Sequence, residues 1–210
     1  MTKKGKEFFK LDTSHTETIS QLHVEGMNLW SAGAYTLNCY ASKNNSIADK
    51  YFFICEDVIN DMIVTAVDPT VAEEQRENLV ALACNDSTVK AISDDGKLMH
   101  QAVLDAAPIS LSLVNSEDTT GKLSTTIVCY GLANGNIGAI ELSRDEAIVL
   151  WEVDCSADQP KAPVSLVKVA ALKDSLHLLV VRDDSTIEVH KFLERANSIG
   201  EAELVFTIKE

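Results

Sequence analysis

Positive charge is scarce in this 210-residue chain. Lys and Arg number 18 against 32 Asp and Glu, which leaves a net charge of −14 and a pI near 4.7. Such a field repels nucleic acid and anionic membrane surfaces, so neither is expected as a partner. Long apolar runs are missing as well. None reaches the ~18 residues that a membrane-spanning helix needs. The basic start, residues 1–6, leads into no apolar signal core, so no visible secretion signal and no membrane insertion are expected. Cysteine pairs are also absent. Cys39, Cys55, Cys84, Cys129 and Cys155 are odd in number and widely spaced, with no C-x-x-C pair. They read as reduced, mostly buried thiols of a cytosolic protein, not as a disulfide or zinc framework. Aromatic residues make up only 6%.

What is present is strand. Hydrophobic content of 46% supports a sizeable core, and the length makes one domain the default. Strand candidates run over residues 7–11, 19–24, 29–32, 36–41 and 51–55. A second set covers 59–67, 79–84, 88–92 and 98–104. A third covers 109–114, 125–132, 137–142 and 148–153, and a fourth 164–171, 176–181, 186–192 and 204–208. Three polar stretches, 115–122, 154–161 and 194–201, read as long connections. The acidic stretch 71–78 reads as a solvated loop or a short helix.

One hairpin recurs. Leu176 to Val181 is apolar on nearly every residue and reads as a strand buried on both faces. Asp183-Asp184-Ser185 turns the chain, and residues 186–192 follow as a half-exposed strand. The pattern of an apolar run, an Asn/Asp turn and a β-branched anchor repeats at Val89, Ile137 and Ile187, which stand 48 and 50 residues apart. Asn, Asp, Gly and Ser suit tight turns because they tolerate or bond within the unusual backbone geometry. About four short strands every ~40–50 residues is the spacing of a β-propeller blade. The expected fold is therefore all-β: a partial β-propeller of about four four-stranded antiparallel blades in a single domain, at 15–55, 58–104, 107–153 and 163–208. The rival folds are an α+β domain with helices over 71–83 and 95–107, and a two-sheet sandwich, which leaves the repeated hairpin unexplained.

Chemistry-bearing motifs give no catalytic, cofactor or metal site. His15, His23, His100, His177 and His190 form no H-E-x-x-H or H-x-H pattern. His177 reads as a core histidine bonded to backbone, and His190 as half-exposed. Asp94-Asp95-Gly96 and Asp183-Asp184-Ser185 lack the alternating oxygens of a calcium loop and read as turns. No G-x-S-x-G elbow or phosphate loop occurs. Trp30 and Trp151 read as packing residues. A propeller enzyme would need acids or histidines converging from the innermost strands. Those strands, around 59–67, 109–114 and 164–171, are mostly apolar or Ser-bearing, apart from Asn60, Asp61 and Lys168.

A collinear set of short motifs adds a resemblance. It comprises Lys4-Gly5-Lys6-Glu7-Phe8-Phe9, Thr16-Glu17-Thr18-Ile19, Tyr51-Phe52-Phe53 before Asp57-Val58-Ile59-Asn60-Asp61, Leu150-Trp151-Glu152-Val153, and Arg182-Asp183-Asp184 with Ile187-Glu188-Val189. In order and spacing it resembles the propeller domain of the Bardet–Biedl syndrome 7 family. That resemblance implies a non-enzymatic adaptor of the BBSome, a cytosolic coat-like complex that carries membrane-protein cargo into and out of cilia. It implies other BBSome subunits as partners, particularly the Bardet–Biedl syndrome 2 protein. It also implies residence in the cytoplasm, the cilium, the ciliary basal body and the centrosomal region. Propellers of that family close with about seven blades, against about four here. The chain thus reads as a fragment, a shortened product or a partial gene reading. A generic propeller adaptor outside cilia is the alternative function.

Overall fold

The structure is a computed structural model that describes residues 11–43, 46–67, 71, 77–114, 126–153, 161–173, 175–195 and 198–209. Among these, every regular element is a strand. The first sheet holds β1 (Gln21–Glu25), β2 (Asn28–Ala32), β3 (Thr36–Lys43) and β4 (Ser46–Ile54). The second holds β5 (Ile59–Ala66), β6 (Asn78–Cys84), β7 (Thr88–Ser93) and β8 (Leu98–Val103). The third holds β9 (Pro108–Val114), β10 (Thr126–Leu132), β11 (Ile137–Leu142) and β12 (Ala147–Val153). The fourth holds β13 (Val164–Leu172), β14 (Ser175–Arg182), β15 (Ile187–Arg195) and β16 (Ser198–Ile208). Each sheet is an antiparallel meander in chain order. The first strands of successive sheets lie side by side, β1 by β5, β5 by β9 and β9 by β13. This is the arrangement of propeller blades around an axis. The fold is a partial β-propeller of four blades.

The repeated turn is the local cause. Between β14 and β15, Arg182 N donates to Thr186 O and Ser185 N to Arg182 O, while Asp184 Oδ1 accepts from Thr186 N at 3.1 Å. Asp86 and Asn134 accept from Thr88 N and Asn136 N in the same way, at 3.2 and 3.0 Å. The residue after each acceptor has positive φ: Ser87 at 63°, Gly135 at 90° and Ser185 at 64°. These are three-residue hairpin loops that end in a left-handed residue. The same register follows in each sheet. Ala83 faces Val89, Gly131 faces Ile137, and Val181 faces Ile187.

Three apolar layers fill the spaces between the four sheets. The first joins Trp30, Leu37 and Cys39 to Met62, Val80, Leu82 and Ile92. The second joins Leu79, Ala81, Val89 and Ala91 to Val128, Tyr130, Ile140 and Leu142. The third joins Ile127, Cys129, Ile137 and Trp151 to Val167, Leu178, Val180 and Phe192. β6 and β10 are consequently buried along nearly their whole length, whereas β4 and β16 are largely exposed. Gly131 shows how close the blades come, because a Cβ there would lie 2.3 Å from Val164 Cγ1.

Four sequence expectations need correcting or bounding. β14 is not buried on both faces. It alternates, with Leu176, Leu178 and Val180 buried and His177, Leu179 and Val181 only half-buried. Among the described residues no fifth sheet lies against its second face, so strand composition alone overstated its burial. The stretch 194–201 is not a long connection, because β15 runs to Arg195, β16 starts at Ser198, and Glu194 pairs with Ile199. The proposed helices over 71–83 and 95–107 give way to β6 from Asn78 and to β8. The strand at 7–10, the acidic residues 72–76 and the connections 115–122 and 154–160 lie outside the described residues.

Candidate functional site

Polar residues on the innermost strands tie one blade to the next. Gln21 Nε2 of β1 donates to Asn60 O of β5 at 3.1 Å. Asn60 Nδ2 donates to Pro108 O at 2.9 Å, and Asp61 Oδ2 accepts from Leu111 N at 2.7 Å, both on β9. Ser110 and Ser112 of β9 accept from Val167 N and Val169 N of β13 at 3.2 and 2.8 Å. Neighbouring inner strands share no backbone ladder, so short side chains reach across to satisfy the free amides and carbonyls. Asn60 and Asp61 therefore stitch the blades together. Lys168, the third polar residue expected on these strands, is exposed.

A buried charged knot joins the third and fourth sheets. Arg182 Nη1 donates to Gly135 O at 2.8 Å and Ala162 O at 2.9 Å, and its Nη2 donates to Glu188 Oε2 at 2.9 Å. His190 Nε2 lies 2.9 Å from the same oxygen, and Lys161 Nζ lies 3.3 Å from Oε1. Burial opposes the charge on Glu188. Hydrogen bonds from His190 and Arg182, aided by the Arg182 and Lys161 charges, outweigh it and hold the carboxyl far below the usual carboxylate range. His190 is 1% exposed, so its half-exposed placement is corrected. It lies on the β15 face that meets the third sheet. With both Glu188 oxygens engaged by cations, the carboxylate is poorly placed to take a proton from a substrate.

The remaining singled-out residues serve local structure. His177 Nδ1 contacts Ser175 O at 3.0 Å, as a backbone-bonded histidine should. His100 Nε2 contacts Arg144 O at 2.5 Å. Asp94 pairs with Lys50 at 2.8 Å, and Asp95 with Lys97 across a turn whose Gly96 has φ +79°. Trp30 Nε1 donates to Tyr51 Oη at 2.9 Å, and Trp151 packs against Phe192.

One cluster had no signal in the sequence. Residues 14–17 lie across the outer face of the first sheet. His15 contacts Ser31 Oγ at 2.7 Å and Thr36 Oγ1 at 2.6 Å, and Asn38 donates to Ser14 Oγ. Glu17 accepts from Thr36 Oγ1 at 2.7 Å and Tyr35 N at 3.2 Å. The Thr36 bond leads the effects that bring the Glu17 carboxyl down to about 2, against some opposition from burial. These contacts span 16 to 24 residues of sequence, with no periodicity to betray them.

These polar clusters bond strand to strand and blade to blade. Among known proteins, the family model described as BBS7 beta-propeller matches residues 1–208. The chain belongs to the BBS7 β-propeller family. It is 28% identical over 198 residues to the mouse (Mus musculus) BBSome complex member BBS7, covering 93% of this chain and 26% of that protein. It is 24% identical over 190 residues to the Caenorhabditis elegans BBSome complex member bbs-7, covering 90% and 25%. The chain thus spans about a quarter of the length of these BBS7 relatives. Two crystal structures of BBS1N in complex with ARL6DN, one soaked with lead and one with mercury, share the fold. Each gives a TM-score of 0.64 at 15% identity, covering 86–87% of this chain and 50–53% of the solved one.

Proposed function

We propose that this chain is a non-enzymatic interaction scaffold, the propeller portion of a BBSome subunit, acting in ciliary membrane-protein trafficking and cilium assembly. The observation that carries the reading is the BBS7 family match along nearly the whole chain. The geometry supports it. Asn60, Asp61, Ser110, Ser112 and Arg182 bond from one blade to the next, and Glu188 holds Arg182 in place. In this reading the four sheets, bounded approximately at 15–55, 58–104, 107–153 and 163–208, work as one domain. Its partners are other BBSome subunits, with the Bardet–Biedl syndrome 2 protein first among them on the strength of the family resemblance. The same reading places it in the cytoplasm, at the cilium, the ciliary basal body and the centrosomal region. Its −14 charge disfavours nucleic acid and anionic lipid as direct partners.

The test is affinity purification of the tagged chain and of its full-length relative from ciliated cells, with quantitative mass spectrometry. The expected result is enrichment of BBSome subunits with the full-length relative, the Bardet–Biedl syndrome 2 protein foremost, and weaker recovery with the 210-residue chain. Full-length bait that enriches no BBSome subunit overturns the reading.

A further inference from the structure

We propose that Cys55 and Cys84 are a modification site: a thiol pair that a peroxide converts reversibly to a disulfide, clasping the first sheet to the second. This rests on their own geometry and is independent of the scaffold reading above.

Cys55 follows β4 in the link to β5, and Cys84 is the last residue of β6. Their Sγ atoms lie 3.4 Å apart. Both are buried in the layer formed by Trp30, Ile59, Leu82 and Ile92. The other described cysteines, Cys39 and Cys129, are buried on β3 and β10. A disulfide needs the sulfurs to close to ~2.0 Å. Cys84 is held in the sheet, paired with Thr88 and Ile59. Cys55 lies outside the ladder, where its N donates to Tyr35 O at 2.8 Å. The short link to β5 can therefore absorb the approach without breaking a strand.

The surroundings divide the two thiols into unequal roles. The Cys84 hydrogen bond, helped by the Asp57 backbone and the Lys90 ammonium and opposed by burial and Asp86, draws the Cys55 thiol below its ordinary value, and Cys55 is the one of the two that lies off the ladder. The bond to Cys55 together with burial pushes the Cys84 thiol up. Lys90 is anchored by Asp86, whose side chain is 30% exposed. The Cys55 thiolate is then the nucleophile. It attacks one peroxide oxygen, the O–O bond breaks, and hydroxide leaves, taking a proton to become water. Cys55 is now a sulfenic acid. The Cys84 sulfur displaces the sulfenic hydroxyl, its own proton leaves with that hydroxyl as a second water, and the S–S bond forms. Two electrons pass from the two sulfurs to one hydrogen peroxide. A dithiol reverses the process by exchange.

The experiment uses the purified, fully reduced chain. It is treated with hydrogen peroxide, its remaining thiols are blocked by N-ethylmaleimide in denaturant, and it is mapped by non-reducing peptide mass spectrometry. The expected product links the peptides of Cys55 and Cys84, reverts with dithiothreitol, and raises the thermal midpoint by roughly 5–10 °C, as closure of a loop of this length should. In the Cys84→Ser chain, dimedone is expected to label Cys55. Cys55 and Cys84 recovered singly alkylated after peroxide, or linked instead to Cys39, Cys129 or Cys155, would overturn the proposal. The wild-type map decides the matter even if Cys84→Ser fails to fold.

Discussion

Glu188 receives Arg182, His190 and Lys161 on two oxygens while nearly excluded from water. Removing it leaves the Arg182 guanidinium buried without its counter-charge, and breaking a buried pair from one side costs about 3–5 kcal/mol. Glu188→Ala should therefore lower the thermal midpoint by roughly 10 °C in a chain of this size. The double change Arg182→Met with Glu188→Leu should lose clearly less, because no buried guanidinium is stranded and the partly exposed Lys161 can turn to solvent. Calorimetry of the three chains makes the comparison. The same carboxylates set an acid limit. Glu17 and Glu188 both have folded-state values depressed below the ordinary 4.5. Their contribution to stability is therefore complete above pH 4.5 and is lost as pH falls towards the folded values. The thermal midpoint should drop as pH goes from about 5 to about 2, and Glu17→Gln should flatten part of that slope.

At the scale of the element, the hairpin turns are the units that repeat. Gly135 combines φ +90° with carbonyls of Lys161 and Ala162 only 2.9 Å from where a Cβ would sit. Gly135→Val should cost about 3 kcal/mol by urea unfolding, and Ser185→Gly, which relieves a left-handed serine, should cost less than about 1 kcal/mol or stabilise. β14 offers a second contrast. Val180→Asp puts a charge into the third apolar layer and should cost about 4 kcal/mol or more. Leu179→Asp, one residue along on the half-buried face, should cost about 1 kcal/mol. Equal losses would mean that both faces are covered. These turns are also what made the fold readable. An Asn or Asp that bonds two residues ahead, a small or Gly residue at positive φ and a β-branched anchor are local chemistry, so composition reports them. Burial of the second face of β14 depends on a neighbouring sheet and is not encoded in the strand itself. The β15–β16 hairpin was hidden because the sequence of residues 194–201 is as polar as a loop. The stitches at Asn60 and Asp61 were visible as polar exceptions on apolar strands, but their partners 48 and 50 residues away were not.

For the whole molecule, the two end sheets differ from the inner two. Val89 and Ile137 are fully buried at the register position where Ile187 is 38% exposed. Around Ile187, the fourth sheet exposes Leu166, Phe206 and Ile208, and the first exposes Leu22, Val24, Phe52 and Ile54. Apolar faces of this kind drive association. The isolated chain should sediment as a concentration-dependent mixture, and Ile187→Lys with Phe206→Glu should shift it towards monomer with the thermal midpoint changed by less than about 2 °C. Velocity sedimentation at several concentrations checks this. The stitched inner strands carry a last consequence. The ladders fix the shape of each blade, but no ladder crosses from one blade to the next. Apolar layers fill the spaces between blades, and the inner strands are joined by single side-chain bonds from Gln21, Asn60, Asp61, Ser110 and Ser112. The blades behave as stiff plates with an apolar filling, pinned to one another along the inner edge. Lengthening or removing a pin would alter the radius of the arc while leaving every plate intact.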